Sequence, residues 1–209
     1  KFIIKNIILL FKTKEFLKIL LLSLLFFTPL AIFSASWGFE FLKSGFAFSK
    51  QQAAIINGIL FGGLAVGTIA FGLLADLLQK RKFQIFICAL IECILLLIII
   101  YDKDLGYLSI SILYFFMAFL AGSSINLYYY AKKISDDNVV ATAMALITAA
   151  SNISYMLLPP LIGRILDNSL HGPVSNGIRI YSRAAFQNSF VIAPITIALV
   201  ALLSLTLKA

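Results

Sequence analysis

Five stretches of this chain, 19–39, 51–75, 105–131, 138–163 and 184–207, contain no Asp, Glu, Lys or Arg, and a sixth, 83–101, contains only Glu92. A helix rises about 1.5 Å per residue and the hydrocarbon core of a bilayer is about 30 Å thick, so about 20 apolar residues suffice to cross it. Every one of the six windows meets that length. Together they hold 142 of the 209 residues and one charge, and the remaining 67 residues carry the other 25. Six transmembrane helices are therefore predicted, at about 16–42, 50–79, 83–101, 105–131, 137–167 and 183–207. Strands of an outer-membrane barrel alternate apolar and polar residues, whereas these windows are apolar on all sides. A soluble globule is excluded as well, because only 12% of the residues are charged, against about 25% in soluble domains.

Basic residues give the orientation. Lys1, Lys5, Lys12, Lys14, Lys18, Lys80, Arg81, Lys82, Lys132, Lys133 and Lys208 fall on one face, 11 in all, and six fall on the other. Both termini are expected in the cytoplasm, and the net charge of +8 is a membrane-surface feature that does not imply nucleic acid. Residues 1–15 have Lys1, Lys5 and Lys12 on one helical stripe with Ile and Leu around them, which fits an interfacial amphipathic helix or a frayed extension. A start at Lys1 in place of Met predicts a piece of a longer protein. Ser49 and Gln52 read as a capping box. Gly172-Pro173 and Asn176-Gly177 mark turns in the longest loop, which holds His171. Cys88 and Cys93, five apart on a helix, predict neither disulfide nor metal site.

Small residues recur four apart in the second and fifth spans: Gly58 with Gly62, Gly63 with Gly67, and Ala141, Ala145 with Ala149. That spacing lets helix backbones approach in lipid, so both spans are expected in the packed interior of the bundle. The second span ends on Gly72-x-x-x-Asp76 and the fifth on Gly163-x-x-x-Asp167, 91 residues later. Three spans per unit turn the second unit upside down, so the fold class predicted is an all-α membrane protein of two inverted three-helix repeats.

The segment from Gly72 through Asp76 and Gln79 to Lys80, Arg81 and Lys82 resembles the loop signature Gly-x-x-x-Asp-Arg-x-Gly-Arg-Arg-Lys of the major facilitator superfamily. It departs at Leu77, where the family has Arg, and at Gln79, where it has Gly. Trp37-Gly38-Phe39-Glu40-Phe41-Leu42 is similar to the Trp-Gly-x-Pro-Phe-Leu of some bacterial members. Pro159-Pro160 with Gly163 and Asp167 is similar to the penultimate helix of the C-terminal half. The resemblance implies the C-terminal six-helix half of a twelve-helix secondary transporter, with residues 1–15 as the end of a central linker. It further implies a gating role for Gly72, Asp76, Lys80 and Arg81; positive-inside anchoring is the alternative for residues 80–82 and accounts equally for Lys82. A partner N-terminal half, a small organic solute and the lipid bilayer follow as partners. A bacterial inner membrane is the expected location, in keeping with a Phe-, Ile- and Lys-rich composition.

Glu92 is the one ionisable carboxylate inside a span, and such residues are costly enough that function is the default reading; a proton-coupling carboxylate is one role, a neutral hydrogen-bonded side chain another. By family analogy Trp37, Asn57, Asn126, Tyr129, Asn152 and Tyr155 are candidates to line the solute cavity, with Asn152 and Tyr155 foremost because they lie three apart on one helical face. Tying helices together remains open for the Asn residues, and the interfacial aromatic belt for Trp37 and the tyrosines at 128–130. No cofactor or metal is expected, and no His cluster or intramembrane carboxylate pair indicates an enzyme. The alternative to transport is a six-helix module that self-associates without transporting.

Overall fold

The computed structural model describes residues 10–34, 36–168, 174–175, 178–179 and 181–207. Most of the expected amphipathic start, at residues 1–9, lies outside the described residues, as do His171, Gly172-Pro173, Asn176-Gly177 and Lys208. Six helical segments are long and apolar enough to cross a membrane: Lys14–Phe33, Lys50–Leu78, Arg81–Tyr101, Tyr107–Ile134, Val140–Asn168 and Arg183–Ser204. The first consists of α1 (Lys14–Phe26) and α2 (Thr28–Phe33), and α3 (Ser36–Phe46) follows. The second is α4 (Lys50–Leu78) and the third α5 (Arg81–Tyr101). The fourth is α6 (Tyr107–Ala121) and α7 (Ile125–Ile134), joined by a 3-10 turn at Gly122–Ser124. The fifth is α8 (Val140–Asn168), and the sixth is α9 (Arg183–Phe190) with α10 (Ile192–Ser204). Among the described residues the only strands are the antiparallel pair Val174–Ser175 and Ile178–Arg179.

Local chemistry accounts for the punctuation. Ser49 accepts from the Gln52 backbone and the Gln52 side chain accepts from the Ser49 backbone, so the capping box that opens α4 is formed. Pro29, just inside α2, has no N–H to give Leu25, and Pro194, early in α10, has none for Phe190; the first and sixth spans break at those points. In contrast, α8 runs unbroken through Pro159 and Pro160. Asp136 and Asp137 lie in the turn before α8, where the Val139 N–H donates to the Asp136 carbonyl, and not in its first turn.

Helix packing obeys the predicted repeat. The second span packs on the fourth as the fifth packs on the first, the third on the fourth as the sixth on the first, and the third and sixth on each other. Exchanging the two triplets leaves that set unchanged. The correspondence extends to single residues. A Cβ on Gly63 would overlap the carbonyl of Phe115, while Ser154, 91 residues after Gly63, donates to the carbonyl of Leu24, which is 91 residues before Phe115.

One expectation is corrected. The buried centre is made by the first and fourth spans, in which 61% and 50% of the most apolar stretch is buried, against 28% in the second and 28% in the fifth. The reason is visible residue by residue: Gly63 and Gly67 meet the fourth span's backbone, whereas a Cβ on Gly58 or Gly62 would meet nothing. Ala141, Ala145 and Ala149 are likewise exposed. Five of these seven small residues, Gly58, Gly62, Ala141, Ala145 and Ala149, face away from the rest of the described bundle. At the end of the bundle that carries Asp167, Phe33, Phe41, Tyr114, Phe186 and Phe190 form an edge-on aromatic cluster, with Phe33 and Phe190 centroids 5.0 Å apart. Such pairs contribute about 0.5–1.5 kcal/mol each beyond burial.

Candidate functional site

Two polar clusters mark the opposite ends of the bundle, one around each Gly-x-x-x-Asp copy. At the first, α4 ends on Gln79 in the left-handed conformation, φ 53 and ψ 15. The family-type glycine is missing there, and a glutamine makes the turn instead at the cost of crowding its Cβ. Gln79→Gly is expected to raise stability by about 0.5–1 kcal/mol, the relief of that crowding offset by glycine's greater freedom when unfolded. A thermal melt of the variant in detergent checks this; a lower midpoint would mean the glutamine side chain holds something the turn needs.

The turn delivers Arg81 to the first residue of α5, where it pairs with Asp76. The other guanidinium nitrogen, Nη1, donates to Asn126 Oδ1 at 3.1 Å, and the guanidinium carbon lies 4.0 Å from the centroid of the Tyr129 ring. Asn126 is fully buried, and its amide nitrogen donates to Gln84 Oε1 and to the Ser123 carbonyl, both at 3.0 Å. Gln84 in turn donates to the carbonyl of Phe71 at 3.2 Å. One arginine thus joins the ends of the second, third and fourth spans. Beside it a cleft of about 370 Å³ is lined by Asp76, Gln79, Arg81, Tyr129, Tyr130 and Lys133. Lys80 is exposed at the start of α5, and a Cβ on Gly72 would meet nothing, so that glycine is open on the outside of the bundle.

At the other end Trp37 and the Pro159-Pro160-x-x-Gly163 segment come together. The Trp37 indole donates to the Pro159 carbonyl at 2.7 Å and lies so close over Gly163 that a Cβ there would be 3.0 Å from the ring. Tyr181 packs edge-on to Trp37 at 5.7 Å and donates to Asp167 Oδ1 at 2.8 Å. Asp76 and Asp167 therefore end equivalent helices at opposite ends of the bundle.

A family model described as Major Facilitator Superfamily matches residues 19–208. The chain belongs to the Major Facilitator Superfamily. It is accordingly a multi-pass membrane protein of a transporter family. A comparison with curated proteins returns no match.

Within this superfamily fold, the polar residues singled out from the sequence separate into three groups. Asn126 and Tyr129 sit in the Arg81 network, and Trp37 sits in the Asp167 cluster. Asn57, Asn152 and Tyr155 lie on the second and fifth spans: Asn152 is exposed, Asn57 and Tyr155 are half-buried, and Tyr155 faces Ser34, whose hydroxyl donates to the Leu30 carbonyl. Glu92 is in the bundle interior, fully buried, with neither carboxylate oxygen in a hydrogen bond. Sequence reasoning missed Gln84, Ser34, Tyr181 and Arg183. Gln84 carried one signal, since it follows Arg81 by three residues and shares its helical face. Nothing in the sequence singled out Tyr181 or Ser34.

Proposed function

We propose that this chain is the C-terminal six-helix half of a bacterial secondary active transporter that moves a small organic solute across the inner membrane by alternating access, with both termini cytoplasmic. The observation that carries the reading is the pair of unfilled small-residue faces on the second and fifth spans, at Gly58 and Gly62 and at Ala141, Ala145 and Ala149. These are surfaces built for backbone approach, and an N-terminal half supplies the missing partner. Asn57, Asn152 and Tyr155 belong to the same two helices, so a solute held between the halves has amide and phenol hydrogen bonds from this side.

On this reading Asp76 and Arg81 form the cytoplasmic gate. Arg81 is oriented by Asn126 and Tyr129, Lys80 adds positive charge beside it, and Gly72 leaves room for the other half to close on α4. A conformational equilibrium of this kind needs only small biases, and an exposed carboxylate near a helix N-terminus contributes about 0.3–1 kcal/mol.

The test is reconstitution in liposomes. The gene product containing this segment, assayed against a metabolite panel with and without a proton gradient, is expected to take up one class of solute saturably. The 209-residue chain alone is expected to take up none, since it holds half of the site. Saturable uptake by the chain alone would overturn the half-transporter reading.

A further inference from the structure

The fifth span carries a weak turn directly after Tyr155. In a helix the N–H of residue i bonds the carbonyl of residue i−4, and proline has no N–H. Pro159 and Pro160 therefore leave the ladder without its bonds to the carbonyls of Tyr155 and Met156, although α8 continues to Asn168. Residues 160–168 join the rest of the helix through a turn that lacks two successive ladder bonds, and such a turn bends more readily than an intact one.

Trp37 holds that outer segment from across the bundle. Its indole nitrogen donates to the Pro159 carbonyl at 2.7 Å, at the weak turn itself. The ring lies over Gly163, one turn further on, where a Cβ would stand 3.0 Å from it. Tyr181 packs edge-on against the same ring at 5.7 Å and donates to Asp167 Oδ1 at 2.8 Å, one turn further again. The contacts at 159, 163 and 167 fall four apart, on one stripe of the helix. Beside that stripe Ile162 and Leu166 are buried, but apolar contact is non-directional, so the Trp37 and Tyr181 bonds give the segment its orientation. Trp37 is itself well seated, in the first turn of α3 and next to Gly38, where a Cβ would overlap the Phe33 carbonyl.

We propose that residues 160–168 form a lid hinged at Pro159–Pro160, and that Trp37 is the positioning residue that clasps this lid to α3. Asn152 and Tyr155 lie on the near side of the hinge, so bending there moves the outer end of the fifth span without displacing them. Release is cheap. The helix ladder pairs the Pro159 carbonyl with the Gly163 N–H, so departure of the indole breaks one hydrogen bond and strands no backbone acceptor. The use of the lid over a solute rests on the transporter reading, but the clasp and the hinge do not.

Hydrogen exchange of the chain reconstituted in lipid, read segment by segment, tests both with neither solute nor partner half, so a failure here is separate from a failure of uptake. Trp37→Phe keeps a ring and removes the donor. It is expected to speed exchange at 161–168 by about three- to tenfold, the effect of one neutral hydrogen bond on local opening, and to leave 140–154 unchanged. Adding Pro159→Ala and Pro160→Ala supplies both ladder donors and is expected to return 161–168 to the unmodified rate. The chain has a single tryptophan, so its emission reports on the clasp. Gly163→Val is expected to push the ring toward water and shift the emission to longer wavelength, whereas Gly62→Val, in open space, leaves it unchanged. Exchange at 161–168 indifferent to Trp37→Phe, or emission indifferent to Gly163→Val, overturns the clasp. Acceleration spread evenly over 140–168, or not reversed by the two alanines, overturns the hinge.

Discussion

Gly67→Leu is expected to cost the bundle at least about 3 kcal/mol, enough to remove most of the folded protein at physiological temperature. A Cβ at this position would overlap the Phe119 carbonyl, and across the seam a Cβ on Gly122 would overlap the backbone of Gly67 and Thr68. Neither obstacle is a flexible side-chain end that can swing aside. The second and fourth spans would have to separate along their whole crossing, and in lipid no hydrophobic drive brings them back, because packing itself holds them together. Gly62→Leu is the matched control: same helix, same residue type, one position of the same Gly-x-x-x-Gly spacing, yet open space around it. In the isolated chain it is expected to change stability by no more than about 0.5 kcal/mol. Thermal melts of both variants in detergent, followed by size-exclusion profile, decide the matter. Equal melting midpoints would falsify the backbone contact.

Arg183→Ala is expected to cost about 2–3 kcal/mol, as charge-assisted hydrogen bonds contribute about 1.5–3 kcal/mol each and this side chain is partly solvent-screened. Arg183 Nη1 donates to the Gly45 carbonyl at 2.8 Å and Nη2 to the Asp102 carbonyl at 2.6 Å. Its guanidinium lies 4.4 Å from the centroid of Phe46. One side chain thereby binds the end of α3, the C-cap of α5 and the start of α9. Arg183→Lys is expected to recover less than half of the loss, because an ammonium cannot span two carbonyls and stack on a ring at once. Backbone hydrogen exchange at residues 45–48 and 102–104 is the sharpest readout. Accelerated exchange there with little change elsewhere is the expected pattern, and uniform acceleration would point to a general loss of stability instead.

Those two predictions also show what could be read from the chain before its structure. Five charge-free windows and a sixth holding only Glu92 pointed to six spans, because the bilayer leaves little room for error in length and polarity. The 91-residue offset of the two Gly-x-x-x-Asp segments proved accurate down to the pairs Gly63 with Phe115 and Ser154 with Leu24. Which glycines pack was not legible. Gly62 and Gly63 are adjacent and differ by about 100° around the helix axis, so composition and spacing describe both equally, and the choice depends on where the fourth span lies.

The same limit applies to the polar residues. Asn126 was grouped with Asn152 by residue type, but its amide is committed to Arg81, Gln84 and Ser123. Those contacts link residues 42 and 45 positions apart, beyond any local pattern. Nothing local marks Arg183, because its two carbonyl acceptors lie 138 and 81 residues away. The loop segment from Gly72 to Lys82 was legible in its residue types, and Gln79 in the left-handed conformation shows that the turn forms without a glycine.

The two equivalent crossings differ in their mechanics. Where the second span crosses the fourth, glycine backbones touch, as between two smooth rails. Where the fifth crosses the first, Ser154 donates to the Leu24 carbonyl and Ser23 to the Ile147 carbonyl, which rivet the pair. The second and fourth spans are tied through the Arg81 bridge at one end, whereas the first and fifth are bonded along the crossing itself. Symmetry in the chain trace does not make the two halves of this bundle equally stiff.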